Sequence, residues 1–498
     1  MGDFVWAGIF GNVPDLGNTI PVGNSGGSCG GDVGTATTVD YNSRRARDER
    51  GFSLTAQKFN LALTFFYDGS SSNTVTEYGR GRNASTRCRI TSSTTANAVT
   101  LTLGDMRDYG YTKVGTAGGV TTYTPVSGNG ATTSLSFDGT TFTQYLNNGM
   151  QLQYAAQVAG GNPVAHQLTK VVDADGVAQT YVYGTGVEAG LLKTITLPGG
   201  NVVSFAYTQG SSISLVNSVQ DWTSRFWTMQ YDANQNLTTY QTPSGCITKF
   251  GYDAGNKLTS VQDPQGYTTS ITYDALSNQL KSIGAGAGSW QFSYSAGFTQ
   301  QFLVTNPNTG TTVYNMSNAL ATVMQDATGS ISTMSYTNKV LQGVLQTVGG
   351  VQVYTTSLTY DTSLWVPTKS VDGCGNITTY QYDTSGNLTT LTQADGSVVT
   401  MGYSGRNRIR QTDPLGNVTQ YAYTSAGQLA SVTDARGLVT QFAYDSFGNL
   451  TSQTASDGGV TSNTYDSLNR LTATKDPLGR ITTYTYDTSD QQTSVTNP

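Results

Sequence analysis

The stretch Asp434-Ala-Arg-Gly-Leu-Val-Thr-Gln-Phe-Ala-Tyr-Asp-Ser-Phe-Gly-Asn-Leu450 holds two turns with a short alternating strand between them. The first turn has its fullest form in Asp413-Pro-Leu-Gly416, Asp476-Pro-Leu-Gly479 and Asp263-Pro-Gln-Gly266. Asp first, Pro second and Gly fourth are the preferences of a type I turn: Pro presets φ, and the Asp side chain bonds the backbone ahead of it. The second turn follows the tyrosine, as in Asp383-Thr-Ser-Gly386 and Asp445-Ser-Phe-Gly448. Short Gly-containing loops of this kind join antiparallel hairpin strands. Between the turns Phe442 and Tyr444 share one face while Ala443 takes the other. Ile271/Tyr273, Phe292/Tyr294, Tyr380/Tyr382, Tyr421/Tyr423 and Tyr484/Tyr486 repeat that period of two, which marks a half-buried strand. A leucine follows each second turn, at 237, 258, 280, 388, 429, 450 and 471, and is expected to hold the returning strand.

Outward from this copy the same beat runs through two thirds of the chain. Tyr183, Tyr207, Tyr231, Tyr252, Tyr273, Tyr294, Tyr336, Tyr360, Tyr382, Tyr403, Tyr423, Tyr444, Tyr465 and Tyr486 are the structural repeat tyrosines, with Tyr314 keeping time between Tyr294 and Tyr336. Successive spacings stay between 20 and 24 residues. Self-similarity at such a period is the signature of a repeat architecture. Fifteen two-stranded units at roughly 4.8 Å per strand would make a ribbon about 140 Å wide. Open twisted sheets rarely exceed about 10 strands without curling or splitting. A propeller would pair units into blades of about 40–45 residues, yet odd and even copies look alike. A parallel β-helix does not need two reversing turns per coil. The expected fold is therefore all-β: a long antiparallel sheet of repeated hairpins wound into a spiral shell.

Composition agrees with this and removes other classes. Charged residues are only 12% of the 498, but 30 Tyr and abundant Thr and Val fit a pleated surface rather than disorder. A net charge of -6 argues against nucleic acid, which requires surplus Lys and Arg. The densest basic stretch, Arg44 to Arg50, encloses Asp48 and Glu49 and reads as a solvated or ion-paired loop. No apolar run reaches the roughly 18 residues of a membrane helix. Met1-Gly-Asp-Phe-Val-Trp lacks the basic start of a signal peptide. Cysteines at 29, 88, 246 and 374 have no metal-binding spacing; free buried thiols are the first reading and a Cys29–Cys88 disulfide the second.

The recurring Tyr-Asp at 231–232, 252–253, 273–274, 360–361, 382–383, 444–445, 465–466 and 486–487 resembles the RHS/YD-repeat family. The resemblance is strong over residues 165–498. Val39-Asp-Tyr-Asn-Ser-Arg44 is similar to the segment that opens such arrays, and 139–154 to degenerate copies. This gives an unassigned Gly/Asn-rich segment at 1–34, a β region at 35–165 leading into the shell, and about fifteen hairpin repeats over 166–498. The resemblance implies a hollow wall around a toxin or other cargo domain in polymorphic-toxin and insecticidal-complex proteins, or a surface-adhesion barrel as in teneurins. The chain stops at Asn497-Pro498, where another Asp-Pro turn is due, and reads as a fragment.

Nothing in the sequence asks for chemistry. One histidine, His166, excludes a histidine cluster, and it reads as a surface or satisfied polar residue. Three glutamates leave paired-carboxylate hydrolysis to aspartates that the turns already use. Asp173-Ala-Asp-Gly176 lacks the remaining ligands of a calcium loop. No phosphate loop or nucleophile elbow occurs. The expectation is a non-enzymatic shell or scaffold with no cofactor and no metal, secreted or at the cell surface. Its partner would be an enclosed cargo domain or further repeats; the alternative is an adhesion, glycan-binding or fibre-forming array.

Overall fold

The computed structural model describes residues 19–24, 36–40, 45–54 and 61–498, the last with short breaks in its loops, the longest at 157–164. Among the described residues there are 45 strands and no α-helix. A first antiparallel sheet runs in chain order through Thr19–Asn24, Ala36–Asp40, Arg45–Leu54, Leu61–Asp68 and Arg82–Ala84. Here the basic stretch departs from its expected loop. Arg45–Leu54 is the middle strand, zipped to Ala36–Asp40 on one edge and to Leu61–Asp68 on the other. Two flanking ladders satisfy its backbone, which outweighs the local preference of a charge-rich segment for solvent.

Every later strand pairs antiparallel with its neighbour in sequence, from Arg89–Ser92 to Gln492–Thr496. The ring closes at one place. Ala165–Val172 pairs with Gln151–Ala156 along one edge. On its other edge, Ala165, His166 and Gln167 face Thr91, Ile90 and Arg89, while Lys170, Val171 and Val172 face Thr180, Gln179 and Ala178. One strand thus shuts an eight-stranded barrel with its first half and launches the remaining ribbon with its second. Eight strands leave an interior that side chains just fill. Tyr111, Leu135, Phe142, Leu152, Tyr154 and Leu168 fill it, all at most 2% exposed.

From Ala178–Tyr183 onward the hairpin unit is plain, and both of its turns share one geometry. In Asp413-Pro-Leu-Gly416 the Gly416 N–H donates to the Asp413 carbonyl, and the Asp413 N–H donates to the Asn417 carbonyl. Gly416 sits at φ +84°, the left-handed position that ends a three-residue hairpin loop. Oδ1 of Asp413 accepts the N–H groups of Leu415 and Asn417, and its Oδ2 accepts Nδ2 of Asn417. Asp383 and Asn387 repeat the clamp in the turn after a tyrosine. Elsewhere an arginine replaces the amide, as in Arg470 to Asp466 and Arg480 to Asp476. These hydrogen bonds hold the carboxyls of Asp372 and Asp413 below the usual carboxylate range, the Asn376 and Asn417 side chains contributing most.

One hydrophobic core runs from Leu61 to Val304. Residues 61–88 pack against the inner face of the early repeats, so that part of the wall is filled. Past Val304, strands such as Val439–Tyr444 keep the alternation of exposed and half-buried residues, and among the described residues no apolar side chain there is fully buried.

Candidate functional surface: the tyrosine-bearing inner face

Most repeat tyrosines sit at a register shift near the end of a strand, where one extra residue on the partner strand forms a β-bulge. Gly251 faces Ser260 but Tyr252 faces Leu258, leaving Thr259 over. Tyr423, Tyr444 and Tyr465 meet Leu429, Leu450 and Leu471 in the same way. The carbonyl of the residue at this irregular point accepts the hydroxyl of the next tyrosine. Tyr273 donates to Leu258, Tyr252 to Leu237, Tyr231 to Val216, Tyr207 to Leu192 and Tyr183 to Leu168, at 2.7–2.9 Å. Tyr423, Tyr444, Tyr465 and Tyr486 donate likewise to Arg408, Leu429, Leu450 and Leu471, at 2.8–3.0 Å. All nine bonds span 15 residues. The tyrosines therefore staple one hairpin to the next at the rim where the bulge interrupts the ladder. Burial pushes the phenols of Tyr183, Tyr207 and Tyr231 well up, keeping them as neutral donors.

The other repeat tyrosines are less uniform. Tyr294 faces Phe302 without a shift and packs against the core. Tyr360, Tyr382 and Tyr403 sit at shifts opposite Pro367, Leu388 and Arg408. Tyr336 faces Leu341 at a shift.

Along the early repeats the inner face has an occupant from the same chain. The Tyr67 hydroxyl accepts the Leu258 N–H, the Val216 N–H donates to the Glu77 carbonyl, and the Arg80 N–H donates to the Gln235 carbonyl. Arg82 is only 1% exposed. Its guanidinium lies over Phe250 at 4.4 Å and Tyr67 at 5.3 Å, and Nη2 donates to the Tyr252 hydroxyl. Phe65 contacts Tyr240 across the same seam. A buried arginine among aromatic faces ties residues 61–88 to the wall through its charge as well as its stem. The sequence pattern carried no sign of this, because Arg82 lies outside the repeat.

Residues 311–497 match the family model described as the Teneurin YD-shell. Over those residues the chain is a YD-repeat array. No curated protein matches it. Among solved structures, TcdB2-TccC3-TEV superposes with a TM-score of 0.39 at 12% identity, over 91% of this chain and 26% of the other. TcdB2-TccC3 without its hypervariable C-terminal region gives 0.36 at 13%, over 90% and 27%. The N-terminal domain of the effector SpvB from Salmonella typhimurium strain LT2 gives 0.21 at 14%, over 47% and 98%. The chain spans about a quarter of the length of the toxin-complex chains it matches. At such scores the assignment stands on the repeat and the matched model.

Several side chains of this YD-repeat wall sit differently from their sequence reading. His166 is buried rather than at the surface, edge-on to Phe142 at 4.9 Å and Phe137 at 5.7 Å, beside the strand pairing that closes the barrel. The Cys29–Cys88 disulfide does not form: Cys88 is a free, buried thiol, and Cys29 lies outside the described residues. The reading of all thiols as free and buried is also corrected, because Cys374 is free but exposed and Cys246 is disulfide-bonded. Spacing in sequence could not reveal either outcome, since winding decides which cysteines meet. Among the described residues no group of three or more His, Cys, Asp and Glu is placed to hold a metal. No helix there is long and apolar enough to cross a membrane.

Proposed function

We propose that this structural shell serves as the wall of an encapsulating device, its inner face turned toward a cargo domain. One contrast carries the reading. The inner face of residues 192–283 is covered by the chain's own segment 61–88, whereas the same tyrosine-bearing face of 377–486 remains half-buried. The wall itself is held by backbone ladders, turn clamps and tyrosine staples, and confinement needs no reactive group. Export or display at a cell surface fits such a device and belongs to the same proposal.

The test is limited proteolysis of the full gene product. A cargo segment should resist protease while the wall is intact and be cut rapidly when expressed alone. Equal cleavage rates in the two settings would reject encapsulation.

A further inference from the structure

The repeats supply their own standard of comparison, and one groove on the outer face departs from it. The strand following most first turns opens with an exposed β-branched aliphatic residue, at Val202, Ile247, Ile377, Val398, Val439, Val460 and Ile481. At the equivalent place Phe226 presents an aromatic ring, 46% exposed. The turn before it ends in Ser224 where most others have glycine, and Ser224 is held at φ +66°. The next turn on that rim begins with Thr242 instead of Asp, a departure shared by the turns at Leu197, Gln393 and Ala455 but here supplying a hydroxyl. These exceptions converge. Ser224, Phe226, Thr228, Gln241 and Thr242, with Arg225 and Pro243, line one open groove of about 380 Å³.

The chemistry of the groove selects a class of ligand. Thr228 and Gln241 are cross-strand partners beside the ring. The Thr242 hydroxyl is 2.7 Å from that of Ser244. Arg225, the one charged residue of the lining, is paired with Asp221 at 2.7 Å. A flat aromatic ring among hydroxyls and an amide suits a pyranose, whose C–H face stacks while its hydroxyls exchange hydrogen bonds. A non-glycine residue kept in left-handed backbone is a strain that persists where surrounding structure demands it.

We propose that the groove around Phe226 is a binding site for neutral glycans on the outside of the wall. It is independent of any cargo within. The experiment screens the whole chain on an array of neutral oligosaccharides and measures the strongest hit by saturation-transfer NMR and titration. Phe226→Val installs a residue other repeats carry at this position, and Gln241→Ala removes the amide opposite. The expected result is a bound neutral glycan whose affinity falls at least about tenfold in both variants, with unchanged far-UV circular dichroism. If the wild-type chain binds none, or if either folded variant binds as tightly as wild type, the site is wrong.

Discussion

The Leu258 N–H donates to the hydroxyl of Tyr67 at 2.9 Å, joining residues 191 apart in sequence. The carbonyl of that leucine accepts Tyr273 at 2.9 Å, so one bulged position receives a tyrosine from the next repeat and another from the inner segment. The bond from Tyr273 is one of a periodic series, and the bond to Tyr67 is particular to the filled part of the wall. This distinction orders the stability of the molecule.

Tyr67→Phe leaves a buried N–H without its partner, which should cost about 1–3 kcal/mol. Tyr444→Phe removes a hydroxyl from a half-buried staple, where water can replace it, and should cost no more than about 1 kcal/mol. Urea unfolding of the two variants checks the order. Because repeat arrays unfold partly in sections, hydrogen exchange at Leu258 and Leu429 should accompany it.

Arg82 tests whether the inner segment is held by charge and ring geometry. Arg82→Lys keeps the charge but cannot both cover Phe250 and reach the Tyr252 hydroxyl. A loss of about 2 kcal/mol or more is expected, concentrated in residues 61–258, with protection across 418–496 unchanged. A uniform loss along the chain would mean that the segment does not act locally.

Gln235 and Thr309 occupy the left-handed turn position at φ +66° and +68°. Glycine should relieve the strain there but raises the entropy of the unfolded chain, leaving a gain of about 0.5–1 kcal/mol for Gln235→Gly or Thr309→Gly. Gly416→Ala runs the other way and should destabilise by about 1 kcal/mol. Melting temperatures of the three variants decide it.

The turn aspartates predict an acid limit. Asp372, Asp413 and Asp434 have carboxyls lowered by their turn hydrogen bonds. A depressed folded value means the contribution is whole above the unfolded carboxylate pKa, about 3.9, and is lost as pH falls through the folded values. The melting temperature should hold between about pH 7 and pH 5, then fall below about pH 4. Asn417→Ala, which removes the bond to Oδ2 of Asp413, should blunt its share of that fall.

Local chemistry was legible in advance wherever one short segment decides it. Asp-x-x-Gly predicted the hairpin loops, the Phe442/Tyr444 alternation predicted the strand, and the width of the ribbon predicted that it must curl. The second oxygen of several turn aspartates went unread, although its partner four residues on, such as Asn417 or Arg480, stands in the sequence. Arg82, the covered inner face and the cysteine pairing left no pattern to read, because each depends on contacts between segments remote in the chain.

The repeat by itself determined an antiparallel ribbon of hairpins, since turns and alternation act over only a few residues. Tertiary structure decided where the ribbon shuts, with Ala165, His166 and Gln167 against Thr91, Ile90 and Arg89, and which stretch of its tyrosine face the chain covers for itself. Such choices depend on the free energy of closing long loops and filling a finite interior, which no single repeat encodes.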